Sequence, residues 1–600
     1  MGCRRRRLGY HGAVLSRSAG VLPVAAFGRF RPGRGRVAFL LLLALLPPLA
    51  FLAAEAWLFD GDWQFPLDDS WIHLVFARSL AHGEGLAFNP QELVAGTTAP
   101  LWTALLGLLA ALPGSLLLWT KLAGVAAHTA SVLLVYSVGR RLGFSPALAT
   151  VAAGLVAATD WLVWSSISGM EVNLFVLLML AGMNRHLLER AEPAQPPDPS
   201  EKALPPLSFL LFGLAALARP EGLLLPLLAA ADRLLRPLPM AVASTASQAE
   251  AASAPSRDSA GEPGLRLALP SRADWTGVLQ GLLLTLLVVV PVGLAFHQMS
   301  GSLLPTTFAA KSSGGPGLLP DRRLLQAIFG ILFTSQPWMT LLALGGVVES
   351  VRRFGGPRDR GLLLALWTLA LPLASAMLSS GREVAVGNFG RYFFPLLPCV
   401  VLLGLLALSQ LPLARWRSVG FGGRRLPAGA LLLLLLVAPA LFSLASGFGR
   451  YLTSCANVRD SNVALARWLG PRLSPDALLA VNDVGAFRYL LPNRILDLVG
   501  LMTPEVTTRR KAAAAHGVGF GEVLVDLLEE RRPDFVIVFP DWFPYPAAHP
   551  ERFHLLRSVG IRDNITMGGE MIALYDTPWT RQPLAAVPDD AAFPLPAESP

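Results

Sequence analysis

The chain has 600 residues, 53% of them hydrophobic and 15% charged, with a mean hydropathy of +0.50. Soluble domains carry about 25% charged residues, so this composition excludes a water-soluble globular protein and describes a polytopic membrane protein. The net charge of +9 is carried entirely by nine arginines ahead of Val37 (Arg4, Arg5, Arg6, Arg7, Arg17, Arg29, Arg31, Arg34 and Arg36), with no Asp or Glu among them. Basic residues before a first apolar run mark the cytoplasmic flank of a membrane helix, which argues against a nucleic-acid-binding arm.

Residues 1–36 therefore read as a basic cytoplasmic tail. The apolar run 37–59 is too long for the core of a signal peptide and lacks an A-x-A-like cleavage site, so it is expected to stay as a helix. Met1-Gly2-Cys3 has Arg6 where myristoylation wants Ser or Thr. Cys3, Cys399 and Cys455 are far apart in sequence and imply neither a disulfide framework nor a zinc site.

An external loop, 60–98, follows and opens its amphipathic part with Asp68-Asp69. The spacing of Trp71, Ile72, Val75, Phe76 and Leu80 predicts a helix starting near Ser70 and lying along the membrane interface. Asp69 or Ser70 can cap that helix, but one cap suffices. Two adjacent carboxylates also raise each other's proton affinity, which suits a general base taking a proton from a hydroxyl. Both readings stand on the sequence. Gly83 and Gly85 sit in no strand–turn–helix setting, so their G-x-G is not a dinucleotide fingerprint.

Apolar segments then follow near 99–112, 116–138, 145–158, 161–183, 205–218, 220–235, 276–297, 324–349, 361–379, 391–411 and 428–447. With the first they predict about ten to twelve membrane helices in a domain spanning 37–449. Two full crossings between 99 and 145 would put Arg140-Arg141 outside. Either one segment there is re-entrant or the charge rule fails locally. Residues 236–274 have the composition of a disordered cytoplasmic linker, and 578–600 read as a disordered tail.

From 450 to 577 the pattern changes. Short apolar runs (ALLAV 477–481, RILDL 494–498, FVIVF 535–539, MIALY 571–575) alternate with helical stretches at 461–470 and 521–532. This predicts an extracytoplasmic α/β domain with a buried, partly parallel sheet.

Several polar residues interrupt or edge the apolar segments. Glu171 stands in SGMEV (168–172), Arg219 in ARPEG (218–222), Lys311 at the end of PTTFAAK (305–311), and Arg391 in GRYFFPLLP (390–398). Ionisable residues at membrane depth face a cavity or pair with each other. An internal Arg219–Glu221 pair, a solvated Lys311 and an interfacial anchor at Arg391 are the structural alternatives to ligand binding. Asp483 (NDVGAF, 482–487) and Asp497 (LDLVGL, 496–501) end predicted strands, where open α/β sheets present ligand groups; a loop-stabilising role is the alternative.

Taken in order, the first helix, Asp-Asp, the amphipathic run, G-x-G-x-x-FNP, G-T-T-x-P-L-W and the motifs above, with VGRRLG (138–143), resemble the integral-membrane glycosyltransferases of the GT-C type. The resemblance is nearest to the branch of bacterial arabinofuranosyltransferases. It is more distant to protein O-mannosyltransferases and lipid A aminoarabinose transferases. It implies a polytopic helical GT-C protein that transfers a hexosyl or pentosyl unit from a polyprenyl-phosphate donor, usually with inversion. The acceptor would be a cell-envelope glycan, lipid or protein on the extracytoplasmic face of a bacterial-type plasma membrane. It also implies Asp68 or Asp69 as base, Asp68 matching the family's position, with Glu171 as the second acid. Lys311, Arg391 and Arg219 would bind donor phosphate, and Asp483 and Asp497 acceptor. The chain departs from the mannosyltransferases in having Asp-Asp where they have Asp-Glu. Its first loop has no D-x-D, so no obligatory cofactor is expected and a divalent cation is left open. The alternative function is a transporter or flippase of lipid-linked glycans.

Overall fold

The computed structural model describes residues 33–190, 205–237, 267–268, 270–311, 322–354, 360–378, 388–411, 418–421, 424–517 and 519–584. Most of the basic tail, most of the 236–274 linker and the chain end beyond 584 lie outside these residues.

The membrane region runs in order through α1 (Arg34–Leu58), α2 (Asp69–Ala81), a small hairpin of β1 (Ala87–Asn89) and β2 (Glu92–Leu93), α3 (Pro100–Ala110), α4 (Leu116–Arg141), α5 (Pro146–Ala157), α6 (Asp160–Ile167) and α7 (Val172–Glu189). It continues through α8 (Leu207–Ala218), α9 (Leu224–Leu234), α10 (Arg272–Ser300), α11 (Thr306–Lys311), α12 (Arg322–Ser335), α13 (Pro337–Arg352), α14 (Leu362–Leu378), α15 (Leu396–Leu408) and α16 (Ala428–Val458). Among the described residues, five helices are long and apolar enough to cross a membrane, or up to seven if two bent pairs each count as one span. The pairs are α5–α6, bent by 56°, and α12–α13, bent by 112°. The eleven residues of α3 rise about 16 Å at 1.5 Å each, half of a ~30 Å hydrocarbon core.

Local sequence sets these helix ends. Ser115 and Ser145 cap α4 and α5 by accepting from the N–H groups of Leu118 and Leu148, and Pro146 occupies the first turn of α5, where its missing N–H costs nothing. Ser271 and Asp274 form a reciprocal capping box on α10, which Gly301 ends in the left-handed conformation at φ 68°. Leu279, Leu283 and Leu287 on α10 are exposed, as lipid-facing side chains are. Glycine lets helices approach closely: a Cβ on Gly346 of α13 would lie 2.1 Å from the Leu403 carbonyl of α15. The bundle also holds a fully buried polar knot. Lys121 Nζ of α4 donates to Glu55 Oε2 of α1 (3.1 Å) and to the hydroxyl of Tyr451 on α16 (2.7 Å), and Tyr451 donates in turn to Glu55 (2.6 Å).

Beyond α16 come α17 (Ala464–Leu469), β3 (Leu479–Val481), α18 (Val484–Leu490), β4 (Ile495–Asp497), α19 (Pro504–Ala515), α20 (Phe520–Arg531), β5 (Phe535–Val538), β6 (Leu555–Gly560) and β7 (Met571–Asp576). The sheet order is β6–β7–β5–β3–β4; β3 runs parallel to both β4 and β5, and β7 antiparallel to β5 and β6. Alternate side chains serve opposite faces. Leu479, Val481 and Ile537 pack with Ile72, Val75 and Phe76 of α2, whereas Ala480, Val536 and Val538 pack with Leu524, Leu527 and Leu528 of α20. Both faces are covered, so the strands read as unbroken apolar runs. The amphipathic helix α2 is therefore part of the core of the sheet domain as well as of the bundle.

Candidate active site

One cavity of about 320 Å³ lies where the two parts meet. Its polar wall is assembled from four separate places in the chain. Asp69 and His73 stand one turn apart on α2, the spacing that puts two side chains on one helix face. Glu171 precedes α7. Arg219 and Glu221 come from the break between α8 and α9, where a short 3-10 turn begins at Pro220. Arg391 and Tyr392 come from the turn leading into α15. That turn holds Phe389 and Gly390 at φ 61° and 62°. The left-handed conformation is costly for a bulky residue, and the Phe389 ring is held against Trp161, 5.6 Å between centroids.

These residues form a chain of alternating charge. Arg391 pairs with Asp69. Arg219 donates to Glu171 Oε1 (2.5 Å) and Glu221 Oε1 (2.8 Å), and His73 Nε2 lies 3.2 Å from Glu171 Oε2. Both guanidiniums lie within 6 Å of the Tyr392 ring centroid, Arg219 at 4.8 Å and Arg391 at 5.9 Å. Arg391 Nη1, Arg219 Nε and His73 Nδ1 are nevertheless buried without a hydrogen-bond partner. Buried donors are nearly always satisfied, and these three unpaired atoms lie around one cavity large enough to admit a ligand. The opposite wall is apolar, with Leu223, Leu224, Leu304, Phe308 and Leu371.

The two adjacent aspartates have different surroundings. Asp69 lines the cavity; Asp68 does not. The Asp68 carboxylate accepts from the backbone N–H groups of Gly485 (2.6 Å) and Ala486 (3.0 Å) at the start of α18 and from Asn462 Nδ2 (3.1 Å). Any side chain at 485 would block this docking, since its Cβ would lie 2.2 Å from the Asp68 carbonyl oxygen. Burial raises the Asp68 pKa to about 6, opposed by these three donors and reinforced by Asp69. Asp483 is raised well above its ordinary value, by burial first and then by Asp68 and Asp69. Asp483 occupies the N-cap position of α18 without a side-chain capping hydrogen bond and is outside the cavity lining.

Asp497 is also outside it. Its carboxylate accepts from the N–H groups of Val499 (2.8 Å), Gly500 (3.1 Å) and Met502 (2.6 Å). It thereby shapes the loop that carries Leu501 and Met502 into the cavity roof. The roof is fastened at Thr306, whose hydroxyl donates to the carbonyls of Ala95 (3.1 Å) and Leu501 (3.0 Å). Lys311 ends α11, and its side chain lies outside the described residues.

The sequence thus names Asp69, Glu171, Arg219 and Arg391, which the fold brings together. It misses His73 and Tyr392 as cavity residues. The i, i+4 relation of His73 to Asp69 was the available signal; for Tyr392 none stands apart from the apolar run around it. Among the described residues, no three of His, Cys, Asp and Glu converge as metal ligands.

A family model described as a domain of unknown function (DUF8728) matches residues 456–579, which contain the whole five-stranded sheet. No curated protein matches the chain in sequence. Among solved structures, ArnT from Cupriavidus metallidurans in the apo state aligns at TM-score 0.55 with 13% identity, covering 90% of this chain and 97% of its own. The same protein bound to undecaprenyl phosphate gives TM-score 0.53, 14% identity and coverage of 91% and 98%. The archaeal oligosaccharyltransferase AglB from Archaeoglobus fulgidus, in complex with an inhibitory peptide and a dolichol-phosphate, gives TM-score 0.53, 13% identity and coverage of 86% and 71%. The chain has the GT-C fold.

Proposed function

We propose that the chain is an inverting glycosyltransferase that moves one sugar from a polyprenyl-phosphate donor to a hydroxyl of a cell-envelope glycan, lipid or protein. The observation that carries this reading is a cavity in which the carboxylates of Asp69, Glu171 and Glu221 face two arginines, each with a buried N–H left without a partner, beside an apolar wall. The lipid phosphates named with ArnT and AglB are ligands of that chemistry: a phosphate for the arginines and a hydrocarbon chain for the leucines.

The reaction follows from the charges. The acceptor hydroxyl attacks the anomeric carbon while Asp69 takes its proton, and the bond from that carbon to the phosphate oxygen breaks. The donor phosphodiester carries one negative charge and the released lipid phosphate about two. Arg391 and Arg219 therefore hold the leaving group more strongly in the transition state than in the ground state, which is the condition for catalysis. In the donor-free cavity Arg391 is paired with Asp69. A donor phosphate competes for that guanidinium, and as the pair loosens Asp69 becomes a stronger base. Base strength is thus coupled to donor binding. Glu171 fixes Arg219 and His73, and in this reading it positions the site without itself moving a proton.

Helix lengths support a membrane placement to match. With α3 too short to cross, α1 and α4 are the two crossings that bracket the first loop. Arg140-Arg141 then fall on the same side as the basic tail, and the cavity and sheet domain fall on the other.

The test is transfer of radiolabelled sugar from a panel of polyprenyl-phosphate donors by membranes containing the protein. The expected result is transfer that Asp69→Asn abolishes. Transfer unaffected by Asp69→Asn and by Arg391→Gln refutes the mechanism.

A further inference from the structure

A second cleft lies on the other face of α2. Asp69 and Arg78 are nine residues apart, two and a half turns, so they point in opposite directions about 13 Å apart along the axis. Arg78 meets Arg488 there in a cleft of about 410 Å³ formed by the second half of α2, the β1 hairpin and the end of α18. A neighbouring cleft of about 390 Å³ shares Arg78, His82 and Tyr489 and runs along the connection between α3 and α4.

The two guanidiniums are fixed without an acid. Arg78 donates to the Tyr489 carbonyl (2.8 Å) and lies 4.5 Å above the centre of the Tyr489 ring. Arg488 donates to the carbonyls of Phe88 (2.7 Å) and Leu491 (3.0 Å). Neither forms an ion pair among the described residues, unlike Arg219 and Arg391. Burial and the nearby Arg78 both lower the Arg488 pKa, with Glu84 opposing, and Glu84 itself is 3.3 Å from the Ser79 hydroxyl. Two like charges held together by backbone carbonyls, with N–H groups to spare, form a receptor for an anion with several oxygens.

The surroundings say which anion. Beside the cleft, α3 exposes Leu108 at 74% and its connection to α4 exposes Leu112 at 45%, at the bundle end where α4 enters its membrane-length run. An anion arriving there has an apolar body next to it. We propose that the Arg78–Arg488 cleft binds the phosphate headgroup of an anionic membrane lipid, at a site separate from the Asp69 cavity and independent of whether that cavity transfers sugar.

The test uses the purified full chain in detergent and native mass spectrometry with phosphatidylglycerol, phosphatidylcholine and inorganic phosphate as probes. The expected result is preferential retention of phosphatidylglycerol, weakened about tenfold by Arg78→Gln and further by Arg78→Glu, as loss of one charge-assisted contact requires. Arg488→Lys keeps the charge and is expected to retain binding in part. Arg78 is exposed, so its variants are expected to melt as wild type does. The proposal is overturned if folded Arg78→Glu holds phosphatidylglycerol as wild type does, or if phosphatidylcholine binds equally. Displacement of the lipid by low-millimolar inorganic phosphate also overturns it, assigning the cleft to a free anion.

Discussion

Replacing each aspartate of the pair by asparagine separates chemistry from docking. In Asp68→Asn the side chain keeps its shape, but one end becomes an amide donor. Oδ2 of Asp68 receives Gly485 N–H, while Oδ1 receives Ala486 N–H and Asn462 Nδ2. Either orientation of the new amide sets a donor against a donor, and one buried unmade hydrogen bond costs about 1–3 kcal/mol. The seating of α18 on the first loop should weaken by about that amount, which is about 10- to 100-fold faster hydrogen exchange at Gly485 and Ala486. Transfer should persist at a reduced rate. Asp69→Asn removes the proposed base and weakens the pair with Arg391, so transfer should fall by about 10²- to 10⁴-fold with exchange at α18 changed much less than in Asp68→Asn. Hydrogen-exchange mass spectrometry and the radiolabel assay on the same two variants decide the matter. If Asp68→Asn abolishes transfer with α18 still protected while Asp69→Asn remains active, the roles are reversed and the cavity argument fails.

Four further outcomes follow from the same geometry. Lys121→Met leaves Glu55 buried at 0% exposure without its cation; it should cost about 3–5 kcal/mol, seen as a lower melting temperature that Lys121→Met with Glu55→Gln partly restores. Arg391→Gln should lower kcat about 10²- to 10³-fold, as loss of one preorganised donor to developing charge does, and single-turnover rates should show the loss in the chemical step. Asp497→Ala deprives three N–H groups of their acceptor and frees the roof loop; KM for the lipid donor should rise more than kcat falls. The Asp68 carboxyl, raised by burial from 3.8 to about 6, is bound to its proton more tightly in the folded chain. Its stabilising contribution is therefore complete below pH 4 and lost as pH rises through 6. Melting of wild type relative to Asp68→Asn should fall between pH 4 and 7, and a rise would contradict the burial of that group.

Much of the fold is legible in the sequence because burial on two sides leaves a composition signal. The four apolar runs at 477–481, 494–498, 535–539 and 571–575 coincide with β3, β4, β5 and β7. The strand β6 is hidden because Arg557 and Ser558 interrupt it. Arg557 is buried there by stacking 5.0 Å over the Trp468 ring, a partner 89 residues away that no local pattern discloses. Apolar length is a poorer guide in the bundle. The segment 161–183 is two helices broken at Ser168–Glu171, and 324–349 is two helices meeting at 112°, because polar residues needed at the cavity and at bends interrupt runs that composition alone joins. In the site, charges at membrane depth were visible as exceptions to apolarity, which is how Glu171, Arg219 and Arg391 stand out. Which of two adjacent aspartates faces the cavity was not visible, since that depends on where α18 arrives from more than 400 residues later.

The adjacency of the two aspartates has a mechanical meaning. Successive residues at a helix start point about 100° apart, so one peptide unit can serve two bodies: Asp68 reaches the sheet domain while Asp69 reaches the bundle's arginines. Ser70 fixes the third direction, its hydroxyl donating to the Ser168 carbonyl at 2.6 Å, within the loop that ends in Glu171. A shift of α18 that drags Asp68 therefore moves Asp69 against Arg391 without passing through any intermediate side chain. Under the proposed mechanism, an acceptor that engages the sheet domain can alter the base directly, and a donor phosphate that draws Arg391 away can alter the docking of the domain. By linkage, the two effects are equal as binding free energies. Donor affinity measured with and without acceptor, in wild type and in Asp68→Asn, should therefore show a coupling in the first that is reduced in the second. Equal coupling in both would mean that the two substrates communicate by another route.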